Sequence, residues 1–293
     1  IARVLFTASF QDGHPDLFHE SEPRFVCFDF LSDSASAGGL AQVPAHDYVI
    51  VNPPYLAVSA ADTRFATADA KDLYAYFLEN IINTSKGFVS VTPQSFTNAS
   101  KFSSLRKMLL NTFGDLTVYC FDNVPGNIFH GVKFGSRNSN KANSVRAAVM
   151  VAKPGLGTPR ITSLLRWRSD QRAVLLGSAD RFLSQTPLTE QFFPKVSSVF
   201  ADTYTAVAGL PTMSGLLSSA PTSHVLYVPS SPRYYISALR SPVSRASIRK
   251  LYFTDSAAAD YAYVLLNSSL TYWWWRVRDG GMTLSLATIR SLP

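Results

Sequence analysis

"HDYVIVNPPY", His46 to Tyr55, sets an apolar run directly against Asn-Pro-Pro-Tyr. The stretch from Asp47 to Asn52 reads as a buried strand, because β-branched residues suit a pleated surface and no turn residue interrupts them. Two successive prolines then fix two φ angles and remove two N–H donors, so the strand ends in a rigid corner whose carbonyls stay free to accept hydrogen bonds. Asn52 offers a side-chain carbonyl, Pro53 a main-chain carbonyl and Tyr55 a flat aromatic face. An exocyclic amino group on a stacked base would satisfy all three.

Working outward, "FVCFDF" (Phe25 to Phe30) reads as a strand upstream of the corner. Downstream, "DLYAYFLENII" places Leu73, Phe77 and Ile81 four residues apart, the stripe of an amphipathic helix, and "GFVSVTP" returns as a strand stopped by Pro93. "SKFSSLRKMLLNTF" sets Phe102, Leu105 and Leu109 on one helical face, with Asn98 and Ser100 as candidate caps. "LTVYCF" and "SVRAAVMVA" follow without a helix between them, so they are expected to form an antiparallel pair at one sheet edge, joined by a Gly-, Asn- and Lys-rich loop. This alternation predicts an open α/β sheet, in which ligands sit beyond the carboxyl ends of the strands, where Asn52 to Tyr55 falls.

Composition bounds the function. The chain has 46% apolar and 16% charged residues, the balance of a packed protein, with no run of 18 apolar residues and no signal-peptide pattern, so a cytoplasmic location is expected. Cys27 and Cys120 each lie in an apolar stretch and read as core thiols, which argues against a disulfide scaffold or a multi-cysteine metal site. The five histidines have no ligand spacing, and "HPDLFHESE" lacks the lysine a metal-dependent nuclease would need. Net charge is uneven: residues 1–150 hold 12 Lys+Arg against 13 Asp+Glu, and residues 151–293 hold 15 against 7. From Asn123 to Ser169 there is no acidic residue, but Lys133, Arg137, Lys141, Arg146, Lys153, Arg160, Arg166 and Arg168 are present, the footprint of a polyanion partner. Beyond Pro154 the texture turns rich in Pro, Ser and Arg, and Arg233 lies in "SSPRYYISALRSPVSR", a stretch suited to groove contacts. The end, "YAYVLLNSSLTYWWWRVRDGG", reads as an aromatic-rich helical pattern stopped at Gly280 and Gly281.

On these residues the chain resembles the S-adenosylmethionine-dependent DNA adenine-N6 methyltransferases of bacterial restriction-modification systems, whose catalytic signature is Asn-Pro-Pro-Tyr after a strand. The resemblance implies a fold: the C-terminal part of a Rossmann-like methyltransferase sheet with an antiparallel edge hairpin, followed by a mixed α/β target-recognition domain. It implies a catalytic domain over residues 1–155 and DNA target recognition over 156–293. Asn52, Pro53, Pro54 and Tyr55 would be catalytic, Tyr55 and Phe102 would stack on the two faces of a flipped-out adenine, and Asp29 and Phe30 would contact the cofactor. Lys133, Arg137, Lys141, Arg166, Arg168 and Arg233 would contact double-stranded DNA. The family's glycine-rich cofactor loop is expected upstream of Ile1, and "PGLG" (Pro154 to Gly157) reads as an ordinary turn instead.

The chemistry so implied is direct methyl transfer from S-adenosylmethionine to adenine N6, with no metal required, and any nuclease domain or subunit would lie outside this chain. Two alternatives stay open on the residues alone. The same corner serves amino-methyltransferases acting on RNA or on a protein glutamine, though the basic C-terminal region favours DNA. A non-catalytic DNA-binding or specificity module is the other.

Overall fold

The structure is a computed structural model that describes residues 30–31, 46–128, 145–232, 234–244, 247–279 and 283–293. The chain divides into two compact units, Ile1–His46 and Asp47–Pro293. In the first, Phe30 and Leu31 form a half-buried turn; the rest of the expected Phe25-to-Phe30 strand lies outside the described residues.

The second unit is built on a six-stranded mixed sheet in the order β1-β2-β4-β3-β5-β6. β1 (Tyr48–Val51) runs parallel to β2 (Gly87–Pro93), and α1 (Leu73–Thr84) joins them. α2 (Ser103–Thr112) leads from β2 to β3 (Asp115–Phe121). β4 (Ala147–Lys153) then inserts antiparallel between β2 and β3. β5 (Arg160–Thr162) runs parallel to β3, and β6 (Leu183–Ser184) closes the order antiparallel to β5. This is the mixed α/β sheet with an antiparallel pair that the sequence predicts, consistent with a Rossmann-like fold.

Alternation gives the sheet two unlike faces. Phe88, Met150, Leu116 and Val118 are buried on one, where α1 packs against β2 and α2. Val89, Val91, Val149 and Val151 are half-buried on the other. The turn between α2 and β3 needs glycine, since a Cβ on Gly114 would stand 1.8 Å from the Gly155 carbonyl oxygen. "PGLG" is accordingly the turn from β4 to β5.

Four local expectations are corrected. β1 is not buried: among the described residues it pairs only with β2, and Tyr48 and Ile50 are 60% and 88% exposed. The β3–β4 pair is antiparallel but lies inward, because β5 and β6, drawn from residues beyond 155, extend the sheet past it. Neither Asn98 nor Ser100 caps α2; a 3-10 turn, Ser100–Phe102, precedes the helix, and its capping positions carry no side-chain bond. α1 buries more than one stripe: Tyr74, Ala75, Tyr76, Leu78 and Ile81 are all enclosed, while Leu73 and Phe77 are only half-buried.

The remaining chain forms α3 (Arg172–Ser178), α4 (Ala201–Ala208), the hairpin β7 (Val225–Pro229) and β8 (Ile248–Tyr252), then α5 (Ser256–Leu266), α6 (Ser269–Arg278) and α7 (Leu286–Arg290). The aromatic-rich C-terminal pattern is thus two helices. Asn267 breaks it by turning its amide onto the Ala238 backbone, accepting from the N–H at 3.1 Å and donating to the carbonyl at 3.1 Å. Around these elements Leu226, Val228, Leu251, Phe253, Trp274 and Trp275 form one core.

One buried cation ties the segment 190–197 to this framework, and a second is buried within that segment. Arg106, fully buried on α2, donates to the carbonyls of Phe96 (2.6 Å), Ala99 (2.9 Å), Glu190 (2.8 Å) and Gln191 (2.6 Å). Lys195 is 2% exposed and its Nζ has no hydrogen-bond partner. Burial is the main influence on its ammonium and pulls the pKa down to about 8.

The unfolded chain therefore holds more protons than the folded one between pH 8 and the ordinary lysine value near 10.5, and Lys195 makes stability rise with pH across that window. Lys195→Met is expected to be more stable than the parent at pH 7, by up to about 3 kcal/mol, with the gain vanishing by pH 10.5. Cys120, pushed up to about 12 by burial against the lowering charge of Lys195, acts in the opposite sense above pH 9 in both proteins, and in the parent the two charges act on each other. Urea unfolding of both at pH 7 and pH 10 is the check; a difference that does not shrink with pH refutes the assignment.

Candidate active site

The corner follows β1 directly. Pro53 is buried, Asn52 and Pro54 are exposed, and Tyr55 is half-buried with its ring set edge-on to Tyr74, centroids 6.4 Å apart. The Tyr55 hydroxyl lies 2.7 Å from the Val91 carbonyl of β2 and also contacts Asn52 Oδ1. Burial pushes the Tyr55 phenol up to about 12, so at neutral pH it carries its proton. One hydroxyl hydrogen cannot serve two acceptors. Both contacts are satisfied if the Asn52 amide is turned over, with its NH2 donating to Tyr55 and Tyr55 donating to Val91, which leaves the amide carbonyl facing away from the ring. Among the described residues nothing donates to the Pro53 carbonyl. The corner thus presents two acceptors, one of them main-chain.

The loop after the corner is fixed to α1 and does not hang free. Leu73 N–H donates to the Leu56 carbonyl at 2.9 Å, and Val58 N–H to Lys71 at 3.0 Å. Glu79, buried on α1, accepts from the N–H groups of Ala66 and Thr67 at 2.8 Å each and from the Thr67 hydroxyl at 2.7 Å. Phe65 stacks on Tyr76 at 4.7 Å.

Phe102, expected beside Tyr55, stands one ring further back. It is fully buried and stacked on Tyr74, centroids 5.0 Å apart, with Lys101 Nζ 4.7 Å from its ring centre. Tyr74 lies between the two, with its hydroxyl 3.0 Å from Ser95 Oγ. Sequence reasoning missed Tyr74 because it counted the stripe of α1 from Leu73; an aromatic at the second position of the helix after a proline corner was the available signal.

The basic residues divide. Arg146, Arg166 and Arg276 converge on Asp122, 2% exposed at the end of β3, at 2.7, 3.1 and 2.9 Å. Burial alone would raise the Asp122 carboxyl; hydrogen bonding and charge from Arg146, then the charge of Arg276, outweigh it and hold the group below its usual range. Arg166 is still mostly exposed, and Arg168 is exposed with its backbone N–H on Gln171. Lys133, Arg137, Lys141, Arg233 and Asp29 lie outside the described residues, and Phe30 belongs to the other unit.

Residues 19–125 match the Eco57I restriction-modification methylase family. The matched region contains the corner, α1, β2, α2 and β3. Two solved structures are similar at low identity. One is a cryo-EM structure of a DrdV–DNA complex, at 19% identity and TM-score 0.40 over 60% of this chain. The other is the ATP-dependent Type ISP restriction-modification enzyme LlaBIII bound to DNA, at 14% and 0.39 over 74%. This chain spans 21% and 17% of their lengths. No curated protein matches it. Among the described residues no helix is long and apolar enough to cross a membrane.

Proposed function

We propose that this chain is the catalytic and target-recognition part of a site-specific DNA adenine-N6 methyltransferase of a bacterial restriction-modification system, acting in the cytoplasm. The observation that carries the reading is the corner itself: Asn52 exposed, the Pro53 carbonyl unspent, and an aromatic ring held beside them by Val91. S-adenosylmethionine, contacted by Asp29 and Phe30, would supply the methyl group.

The chain's own task is to bind and orient the amino nitrogen. The N6 lone pair is delocalised into the adenine ring. Acceptors at Asn52 Oδ1 and the Pro53 carbonyl, taking both amino protons, favour a tetrahedral nitrogen with its lone pair turned outward. A paired base cannot reach this corner, so the adenine must leave the stack, a cost of a few kcal/mol that stacking on Tyr55 offsets. Phe102 is kept as the second stacking ring, which requires it to be uncovered from Tyr74. Residues 156–293 would read the site, with Lys133, Arg137, Lys141, Arg166, Arg168 and Arg233 on phosphates or base edges. The matched methylase region and the basic C-terminal half favour DNA over RNA or a protein amide.

The deciding experiment expresses the intact protein in a host without adenine methylation and measures N6-methyladenine in its DNA by mass spectrometry, beside an Asn52→Ala copy. Its appearance only with Asn52 present supports the reading; its absence from the parent sinks it and favours the binding module. Tyr55→Phe keeps the ring but removes the hydroxyl that orients Asn52, so kcat is expected to fall about fivefold with little change in KM for DNA, by the worth of one hydrogen bond. Steady-state kinetics decide it, and an unchanged kcat would mean Tyr55 acts through its ring alone.

A further inference from the structure

A cavity of about 570 Å³ lies between the turn after β2 and the end of α6, lined by Asn98, Ser100, Phe192, Arg278, Asp279 and Thr288 among others. Arg278 stands out in it. Its guanidinium carbon lies 3.6 Å from the ring centre of Phe192 and 4.6 Å from that of Trp274, so the cation packs against two aromatic rings. Trp274 is itself fixed, being buried, stacked on Tyr204 at 5.4 Å and donating from Nε1 to Ser291 Oγ at 3.1 Å. The Arg278 guanidinium makes no hydrogen bond or ion pair with any described residue. The carboxylate next in sequence, Asp279, accepts from Thr288 Oγ1 at 2.8 Å.

A guanidinium packed on aromatic rings keeps its edge of N–H donors for something else, already oriented. That edge matches a planar or tetrahedral oxyanion, and phosphate is the oxyanion guanidinium forks most often meet on nucleic acid. Asn98 and Ser100, which carry an amide and a hydroxyl, also line the cavity. The same turn continues into Lys101 and Phe102, which packs on Tyr74 and so adjoins Tyr55.

We propose that Arg278 is a phosphate clamp that holds one phosphodiester of the bound DNA in this cavity, with Asn98 and Ser100 as further donors, an assignment that rests on the DNA reading given above. It positions the strand and does not read sequence.

The test is the dependence of DNA affinity on salt for the intact protein, its Arg278→Gln variant and its Arg278→Lys variant, each on a cognate and a scrambled duplex, with thermal unfolding of all three. Loss of one phosphate contact lowers the slope of log affinity against log salt by about 0.9. Arg278→Gln should show that drop and bind both duplexes roughly tenfold more weakly. Arg278→Lys should keep the slope but bind severalfold more weakly, since an ammonium cannot replace the fork. An unchanged slope in Arg278→Gln, or parental affinity in Arg278→Lys should the glutamine variant not fold, overturns the clamp and leaves Arg278 as packing between Phe192 and Trp274. If the parent binds neither duplex, the DNA reading itself fails and the clamp with it.

Discussion

Asn52→Ala is expected to lower kcat for methyl transfer by about 10²- to 10³-fold while leaving affinity for DNA within about threefold. The size follows from removing one pre-oriented polar group aimed at a reacting centre. The selectivity follows from position. Asn52 is exposed at the end of β1, so its truncation opens no cavity and leaves Pro53, Tyr55 and the basic surface in place. A group that acts only as the amino nitrogen changes shape affects kcat and kcat/KM together, whereas one that merely helps bind the base affects KM. Single-turnover kinetics with saturating DNA separate the two. A variant with normal kcat and raised KM would show that Asn52 binds adenine without promoting the transfer.

Asp122→Ala is expected to destabilise the Asp47–Pro293 unit by about 3–5 kcal/mol, the cost of leaving buried charges without their partner. The buried Asp122 carboxylate pairs with Arg146 before β4, Arg166 after β5 and Arg276 on α6, one negative charge shared among three cations. Removing it leaves three cations together, two of them with side chains only 12% and 18% exposed. Because the folded state holds this carboxyl below its ordinary value of 3.8, its contribution is present above that pH and is lost as pH falls through the lower, folded value. Urea unfolding at pH 7 should therefore show the full loss, and the difference between variant and parent should shrink towards pH 3. A loss below 1 kcal/mol at pH 7 would mean the arginines find water or other partners as easily as they found Asp122.

The same cluster shows why charge was only partly legible. The acid-free interval from Asn123 to Ser169 reads as a row of phosphate contacts, and its first missing acid is one residue upstream. Asp122 takes up Arg146 and part of Arg166 from that interval, and it also takes Arg276 from 154 residues away. Meanwhile the guanidinium of Arg278, which no motif marked, keeps its donors unspent among the described residues. Pairing between distant residues decides which charges remain for a ligand, and composition counts cannot see it.

What the sequence determined by itself was local. The β-branched run of β1, the proline pair that ends it, the strand-helix-strand-helix succession after it and the turn at Pro154 each depend on neighbouring residues and their permitted dihedrals. These sufficed to place Asn52 at the carboxyl end of a strand. The tertiary structure decided the rest: β4 set between β2 and β3, β5 and β6 added beyond them, Phe102 placed behind Tyr74, and Asn267 turned onto Ala238 to split the last aromatic helix. Each of these joins residues far apart in the chain, and such contacts form only where burial and hydrogen bonding outweigh the entropy of closing a long loop.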